Sequence, residues 1–262
     1  MQVWVLHNNL SGSIPAAVSR LQSVAFLNLG YNSLTGSIPD AITTLTKIAS
    51  LTIHDNDLSG PIPPGLGNLL KCEMLFLHGN NLTGPIPDSL TNLTALGALT
   101  GFENKLTGSI PETISNLQKL ATLNFRENEL TGAIPSTIGQ LSNLTQIGLG
   151  DNSLSGPIPD SISQLSNLVD LRLGGNDLSG SIPAAIGDLT RLTALDLSNN
   201  ILTGSIPELI NNLVQLSSLN LNGSGLTCPA DYSPCLAAQQ QPQSIFCRQC
   251  SSFCATCGKP AP

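Results

Sequence analysis

The stretch "LVDLRLGGNDLSGSIPAAIGDLTR", residues 168–191, sets leucines at its first, fourth and sixth places, asparagine at its ninth and leucine at its eleventh. Leu171 and Leu173 fall on one side of an extended segment, and Arg172 and Gly174 on the other. That alternation describes a short strand with one buried face. Asn176 follows where the chain turns, placed to bond backbone groups that the bend leaves unpaired. Gly180 then supplies backbone freedom, Ile182 points into the core, and Pro183 fixes φ at the entrance of a short helical turn. Ile186 and Leu189 close the unit.

The same unit recurs along the chain. Asn8, Asn32, Asn56, Asn80, Asn104, Asn128, Asn152, Asn176 and Asn200 stand 24 residues apart without an insertion, and Ser224 takes the tenth place. A fixed period of roughly 20 to 50 residues marks a solenoid. One coil has too few apolar residues for a core of its own, but coils stacked at a strand spacing of about 4.8 Å share a continuous one. About ten coils are expected, with Asn32 through Asn200 aligned as a structural ladder. Asp40, Asp88, Glu112, Asp160 and Glu208 each follow the proline, and negative charge at the start of a helical turn is favourable. That column therefore reads as structural.

The unit L-x-x-L-x-L-x-x-N-x-L-[ST]-G-x-I-P, carried through residues 1–227, resembles the plant-type leucine-rich repeat of receptor-like kinase ectodomains, receptor-like proteins and polygalacturonase-inhibiting proteins. The resemblance implies an α/β fold, a right-handed solenoid curved into a superhelix. Its parallel sheet would be concave, its short helical turns convex, and an extra short sheet would come from the L-[ST]-G-x-I-P segment. It also implies recognition of a protein, peptide or glycan by concave side chains. Gly101 departs from the pattern by standing where the third strand leucine belongs, so the coil at 96–119 is expected to be loosened or shifted. Cys72 occupies a leading leucine place and reads as a small buried thiol.

Composition narrows the function. A formal charge of -7 disfavours nucleic acid and anionic membrane as partners. No apolar run of about 20 residues is present to span a bilayer. Met1 falls one residue inside a repeat, so the first coil reads as incomplete and the chain as lacking its amino-terminal cap and signal peptide. The expected division is a solenoid at 1–227 and a Cys-rich cap and tail at 228–262.

Six of the seven cysteines lie in that tail. A Cys228–Cys235 bridge would seal the end of the solenoid, resembling the paired-Cys caps of secreted repeat proteins. Cys247, Cys250, Cys254 and Cys257 read as disulfide candidates in an oxidising compartment, their pairing open, with zinc or an iron–sulfur cluster as the alternative. Asn9, Asn81, Asn92, Asn143 and Asn222 each begin an N-x-[ST] sequon, in keeping with a secreted or cell-surface protein.

Ligand specificity must reside in positions that the repeat frame leaves free, the fifth, seventh, eighth and tenth of each unit. The seventh column is read as carrying His54, His78, Phe102, Arg126, Gly150 and Arg172. The eighth carries Tyr31, Asp55, Gly79, Glu103, Glu127 and Asp151. Phe76 and Trp4 stand at the fifth place, and Asp57, Lys105, Glu129 and Asp177 at the tenth. Aromatic rings and arginines dominate binding energy at interfaces, so the concave ligand-binding set is drawn mainly from these columns. Stacked Glu103, Glu127 and Asp151 should repel unless Lys105, Arg126, Arg172 or a partner offsets them.

His54, His78 and Asp55 read as surface residues, so no metal and no cofactor are expected. His7, the third histidine, has no nucleophile motif beside it, and an enzyme is not expected. The expected function is non-catalytic extracellular recognition of a protein, peptide or cell-wall glycan, by a chain acting alone, as a homodimer or with a co-receptor. An ice-binding or structural repeat protein is one alternative, and an inhibitor of a secreted hydrolase such as a polygalacturonase is another.

Overall fold

A computed structural model of the chain describes residues 1–226. One three-residue strand from each coil, from Gln2–Trp4 to Ser218–Asn220, joins a ten-stranded parallel sheet in strict sequence order. The register equals the repeat: Val3 pairs with Leu27, Leu27 with Leu51, and so on to Leu195 with Leu219. From Leu27 onward the fourth-place aliphatic residues therefore form one buried row, with the sixth-place residues in a second row beside it. The L-[ST]-G-x-I-P segments add a second parallel layer, divided into a five-stranded sheet that ends at Lys105–Thr107 and a four-stranded one that begins at Thr131–Gly132.

Each described proline entrance leads into a five-residue 3-10 helix, as at Pro183 before Ala184–Asp188. The third residue of each helix is buried, and from Leu45 onward so is the leucine that follows it, as at Ile186 and Leu189. Core residues run without a break from Ile14 to Leu226. At the first coil, Val3, Leu10, Ile14, Val18 and Leu21 line an open apolar cavity of about 320 Å³.

The asparagine ladder joins neighbouring coils. Asn56 Nδ2 donates to the carbonyls of Leu29, Ile53 and His54 at 3.1, 3.2 and 3.0 Å, while Oδ1 accepts the Leu34 N–H at 2.9 Å. Asn32, Asn80, Asn104, Asn128, Asn152, Asn176 and Asn200 repeat this scheme. Asn8, in the first coil, reaches only the carbonyls of Val5 and Leu6. One side chain thus satisfies several backbone groups that the turn takes away from water.

The coil at 96–119 is not loosened. Strand Ala98–Thr100 keeps full register with both neighbours, and the Gly101 N–H still donates to Asn124 O at 2.8 Å. Phe125 supplies the reason, because it occupies the sixth place of the next coil and is 1% exposed. A Cβ built on Gly101 would lie 2.6 Å from Phe125 Cε1. The larger ring fills the volume that the missing leucine leaves. Cys72 is buried as expected, its Sγ 3.2 Å from Met74 O, and burial pushes the thiol up to about 12.

Candidate functional site

The seventh and eighth places lie just beyond each strand of the ten-stranded sheet. The eighth has a conformational constraint that hydropathy does not reveal. His7, Tyr31, Asp55, Glu103, Glu127, Asp151 and Asn199 all have φ between 47° and 55°, and Gly79, Gly175 and Gly223 complete the column at 61–70°. Every coil passes through the left-handed region there, so the bend directs the eighth-place side chain across the sheet edge. That geometry brings the aromatic residues of two columns into one row.

The rings of His7 and Tyr31 stack at 4.3 Å, and Tyr31 meets His54 edge to face at 4.9 Å. His54 and His78 stack at 4.5 Å, and His78 and Phe102 at 4.2 Å. Phe76 leans against both histidines at 6.4 and 5.9 Å. His7, absent from the expected binding set, is the outer end of this row. The signal available in the sequence was an aromatic-capable side chain in the same column as Tyr31.

Polar contacts lock the middle of the row. His54 Nδ1 lies 2.8 Å from Asp55 Oδ2, and His78 Nδ1 lies 2.8 Å from Thr100 Oγ1. His78 Nε2 is 3.9 Å from the same Asp55 oxygen. Desolvation lowers the His78 pKa to about 4, with His54 adding to the effect and Asp55 opposing it. His78 is therefore neutral at ordinary pH.

Beyond Phe102 the surface changes character. Arg126 forks to Glu127 Oε1 at 2.7 Å and to Asp151 Oδ2 at 2.9 Å, which neutralises much of the expected repulsion in the eighth column. The hydrogen bond to Asp151 raises the guanidinium pKa, helped by the charges of Glu127, Asp151 and Glu103. Arg172 is not in this row. Strand register pairs it with Gly148 and Asp196, which places it in the fifth column, where Nε bonds Asp170 at 3.0 Å. Its side chain borders the same recess as Arg126.

Between the two arginines lies a polar recess of about 190 Å³, bordered by Arg126, Asp151, Arg172, Asp196 and Ser198. Gly150, Gly174 and Gly175 form its floor. A Cβ on Gly174 would lie 2.7 Å from both Asp196 Oδ1 and Ser198 Oγ, which are themselves joined by a hydrogen bond of 2.6 Å. Asp196 and Ser198 were missed because each alone looks like an ordinary polar position. The visible signal was three glycines at free positions, Gly150 between Arg126 and Arg172 and Gly174 and Gly175 just after Arg172.

The remaining expected sites are scattered. Asn9, Asn81, Asn92, Asn143 and Asn222 are all exposed. Cys228, Cys235, Cys247, Cys250, Cys254 and Cys257 lie outside the described residues, as does the division at 227/228. Among the described residues no helix is long and apolar enough to cross a membrane.

A strand, an asparagine ladder and a proline-led turn, repeated in strict register, are the architecture that the family comparison identifies. Leucine-rich-repeat profiles match residues 118–178 and also 23–45, 47–69, 71–93 and 191–213. The chain belongs to the leucine-rich-repeat proteins of the plant type. Among solved structures it is similar to the plant peptide hormone receptor RGFR1 in complex with RGF2, with 39% identity and a TM-score of 0.84 over 86% of this chain and 36% of that one. The Arabidopsis receptor kinase HAESA, in complex with the peptide hormone IDA and the co-receptor SERK1, matches at 31% identity and a TM-score of 0.82 over 88% and 38%. A plant ice-binding protein matches at 30% identity and a TM-score of 0.69 over 88% and 76%. The chain thus spans little more than a third of the two receptor chains. Among curated proteins none matches it significantly.

Proposed function

We propose that this solenoid is an extracellular recognition module that binds an extended peptide or protein segment along its concave face, without chemistry. The observation that carries this reading is the continuous row from His7 to Phe102, followed directly by the Arg126–Arg172 recess. An apolar track beside a polar, charge-bearing recess suits a chain with both apolar and polar side chains. The strands are fixed before binding, so little ordering entropy opposes association. Similarity to two receptors solved with peptide hormones supports the peptide reading and a cell-surface or secreted location. A co-receptor belongs to the same reading, because one of those structures includes one.

A glycan fits the row less well. Sugar rings pack flat on aromatic faces, and here most faces are covered by the neighbouring ring. Inhibition of a secreted hydrolase such as a polygalacturonase is a special case of protein binding, and the same surface would serve it.

The test is a displayed peptide library selected on the full chain, with affinities then measured for Phe102→Ala and Arg126→Ala. Each variant should lose binding by about 2 kcal/mol, near thirtyfold, while the melting temperature stays within a degree or so. Undiminished binding by both would refute concave-face recognition.

A second reading rests on a separate surface. Thr35, Ser59, Thr83 and Thr131 stand exposed in one column of the second sheet layer, and the ice-binding relative is matched over most of its length. Pro61, Pro85 and Pro157 interrupt the neighbouring column of that layer. Absence of ice-recrystallisation inhibition by the purified chain removes this option.

A further inference from the structure

We propose that His54, Asp55 and His78 form a binding site for a divalent transition-metal ion of the zinc class. This goes beyond the peptide reading and does not depend on it. Each residue offers one donor atom, and the three lie within 4.8 Å of one another, the one such cluster of His, Cys, Asp and Glu among the described residues. Zinc binds imidazole nitrogen and carboxylate oxygen at about 2.0 to 2.2 Å, so two donors on one tetrahedral ion stand roughly 3.4 Å apart. Asp55 Oδ2 is 2.8 Å from His54 Nδ1 and 3.9 Å from His78 Nε2, on either side of that separation. The histidine rings are nearly parallel, at 7°, so their nitrogens lie in two facing planes. Rotation of the rings, with the His54 proton on the nitrogen that does not face Asp55, brings one lone pair from each onto a shared ion.

Three features favour a cation over a mere stack. First, His78 Nδ1 is held by Thr100 Oγ1 at 2.8 Å. With Nδ1 as the donor, the Nε2 lone pair faces the Asp55 carboxylate, the outer-shell arrangement that orients a ligating histidine. At 3.9 Å no hydrogen bond joins the two acceptors, and a cation between them would satisfy both. Second, a single carboxylate oxygen of Asp55 stands near a ring nitrogen of both histidines, at 2.8 Å from His54 Nδ1 and 3.9 Å from His78 Nε2.

Third, the adjoining coils leave room for the donors. A Cβ on Gly30 would lie 2.8 Å from His54 Nε2 and Cε1, and one on Gly79 would collide with Asp55 Oδ1. Glycine at these two places clears the space that seats the histidine and the carboxylate. Two nitrogens and one oxygen suit zinc, nickel or copper better than calcium or magnesium.

The test uses the full chain, in which any tail cysteine present as a thiol would itself take up metal. Zinc binding is followed by titration calorimetry, and cobalt replaces zinc as a spectroscopic probe because thiolate ligands give a sulfur-to-metal charge-transfer band that nitrogen and oxygen donors do not. His54→Ala, His78→Ala and Asp55→Asn should each lose one equivalent of metal, or weaken it by about tenfold or more, with the thiolate band unchanged. His7→Ala, at the outer end of the ring row, should bind as the parent does. If His78→Ala fails to unfold cooperatively, His78→Gln takes its place under the same readout. Equal stoichiometry and affinity in the parent and the three site variants, or loss only when the tail thiols are alkylated, overturns the proposal.

Discussion

Gly101 and Phe125 exchange volume across one coil boundary, and the exchange is local enough to dissect. Adding a single methyl at Gly101 brings it within 2.6 Å of a ring that is itself buried. Gly101→Ala should therefore destabilise the chain by about 1–3 kcal/mol. The double variant Gly101→Leu with Phe125→Leu restores the repeat consensus at both places and should lose less than the sum of its two single substitutions. Urea denaturation of the two singles and the double measures the coupling. Additive losses would show that the two positions do not share one volume.

His78 provides a pH-dependent counterpart. Its folded-state pKa lies near 4 against an ordinary 6.5, so the unfolded chain binds a proton that the folded chain refuses. Stability from this group is intact above about pH 6.5 and is lost as the pH falls towards 4, by about 3 kcal/mol in all. Chelated, metal-free protein should show that loss in denaturant titrations, and His78→Phe should lack it. An identical acid slope in parent and variant would assign the effect elsewhere.

Among the elements, the convex 3-10 helices approach one another unevenly. Gly139 sits in Ser136–Gln140, and a Cβ there would collide with the Ser161 carbonyl oxygen of Asp160–Gln164. Gly67 and Gly187 make the same close approach to Ser89 and Leu209. Where glycine is present, two turns pack backbone to backbone, and the convex side is drawn together at that boundary. Gly139→Ala should push the two turns apart at a cost of about 1–3 kcal/mol, measured by thermal unfolding. Ser115, at the corresponding place in Glu112–Asn116, should tolerate alanine with little change. Comparable losses at both places would contradict the close-approach account. On the opposite side, the left-handed eighth place is an element-level device: it turns a strand end into a shelf on which rings from successive coils meet.

At the scale of the molecule, each coil among the described residues pairs with its sequence neighbours in the sheet, so stability is set by a chain of similar interfaces. Native-state hydrogen exchange should give greatest protection at Leu99, Leu123 and Ile147, falling towards Val3 and Leu219 at the two ends. Even protection along the length would mean all-or-none unfolding instead. This linear construction explains how much the sequence alone determined. The 24-residue spacing of asparagine and leucine fixed the coil, the strand register and the buried rows, because period and burial are the same fact in a stacked repeat. Tyr31, His54, His78, Phe102 and Arg126 were legible as binding candidates because they occupy places the frame does not claim. Tertiary structure alone decided which of them touch. The left-handed bend brought His7 into the row, packing set Arg172 at the edge of the recess that Arg126 borders, and Phe125 filled the gap that Gly101 opens in the leucine pattern. Each of these depends on side-chain direction and volume across a coil boundary, and a one-dimensional pattern carries neither.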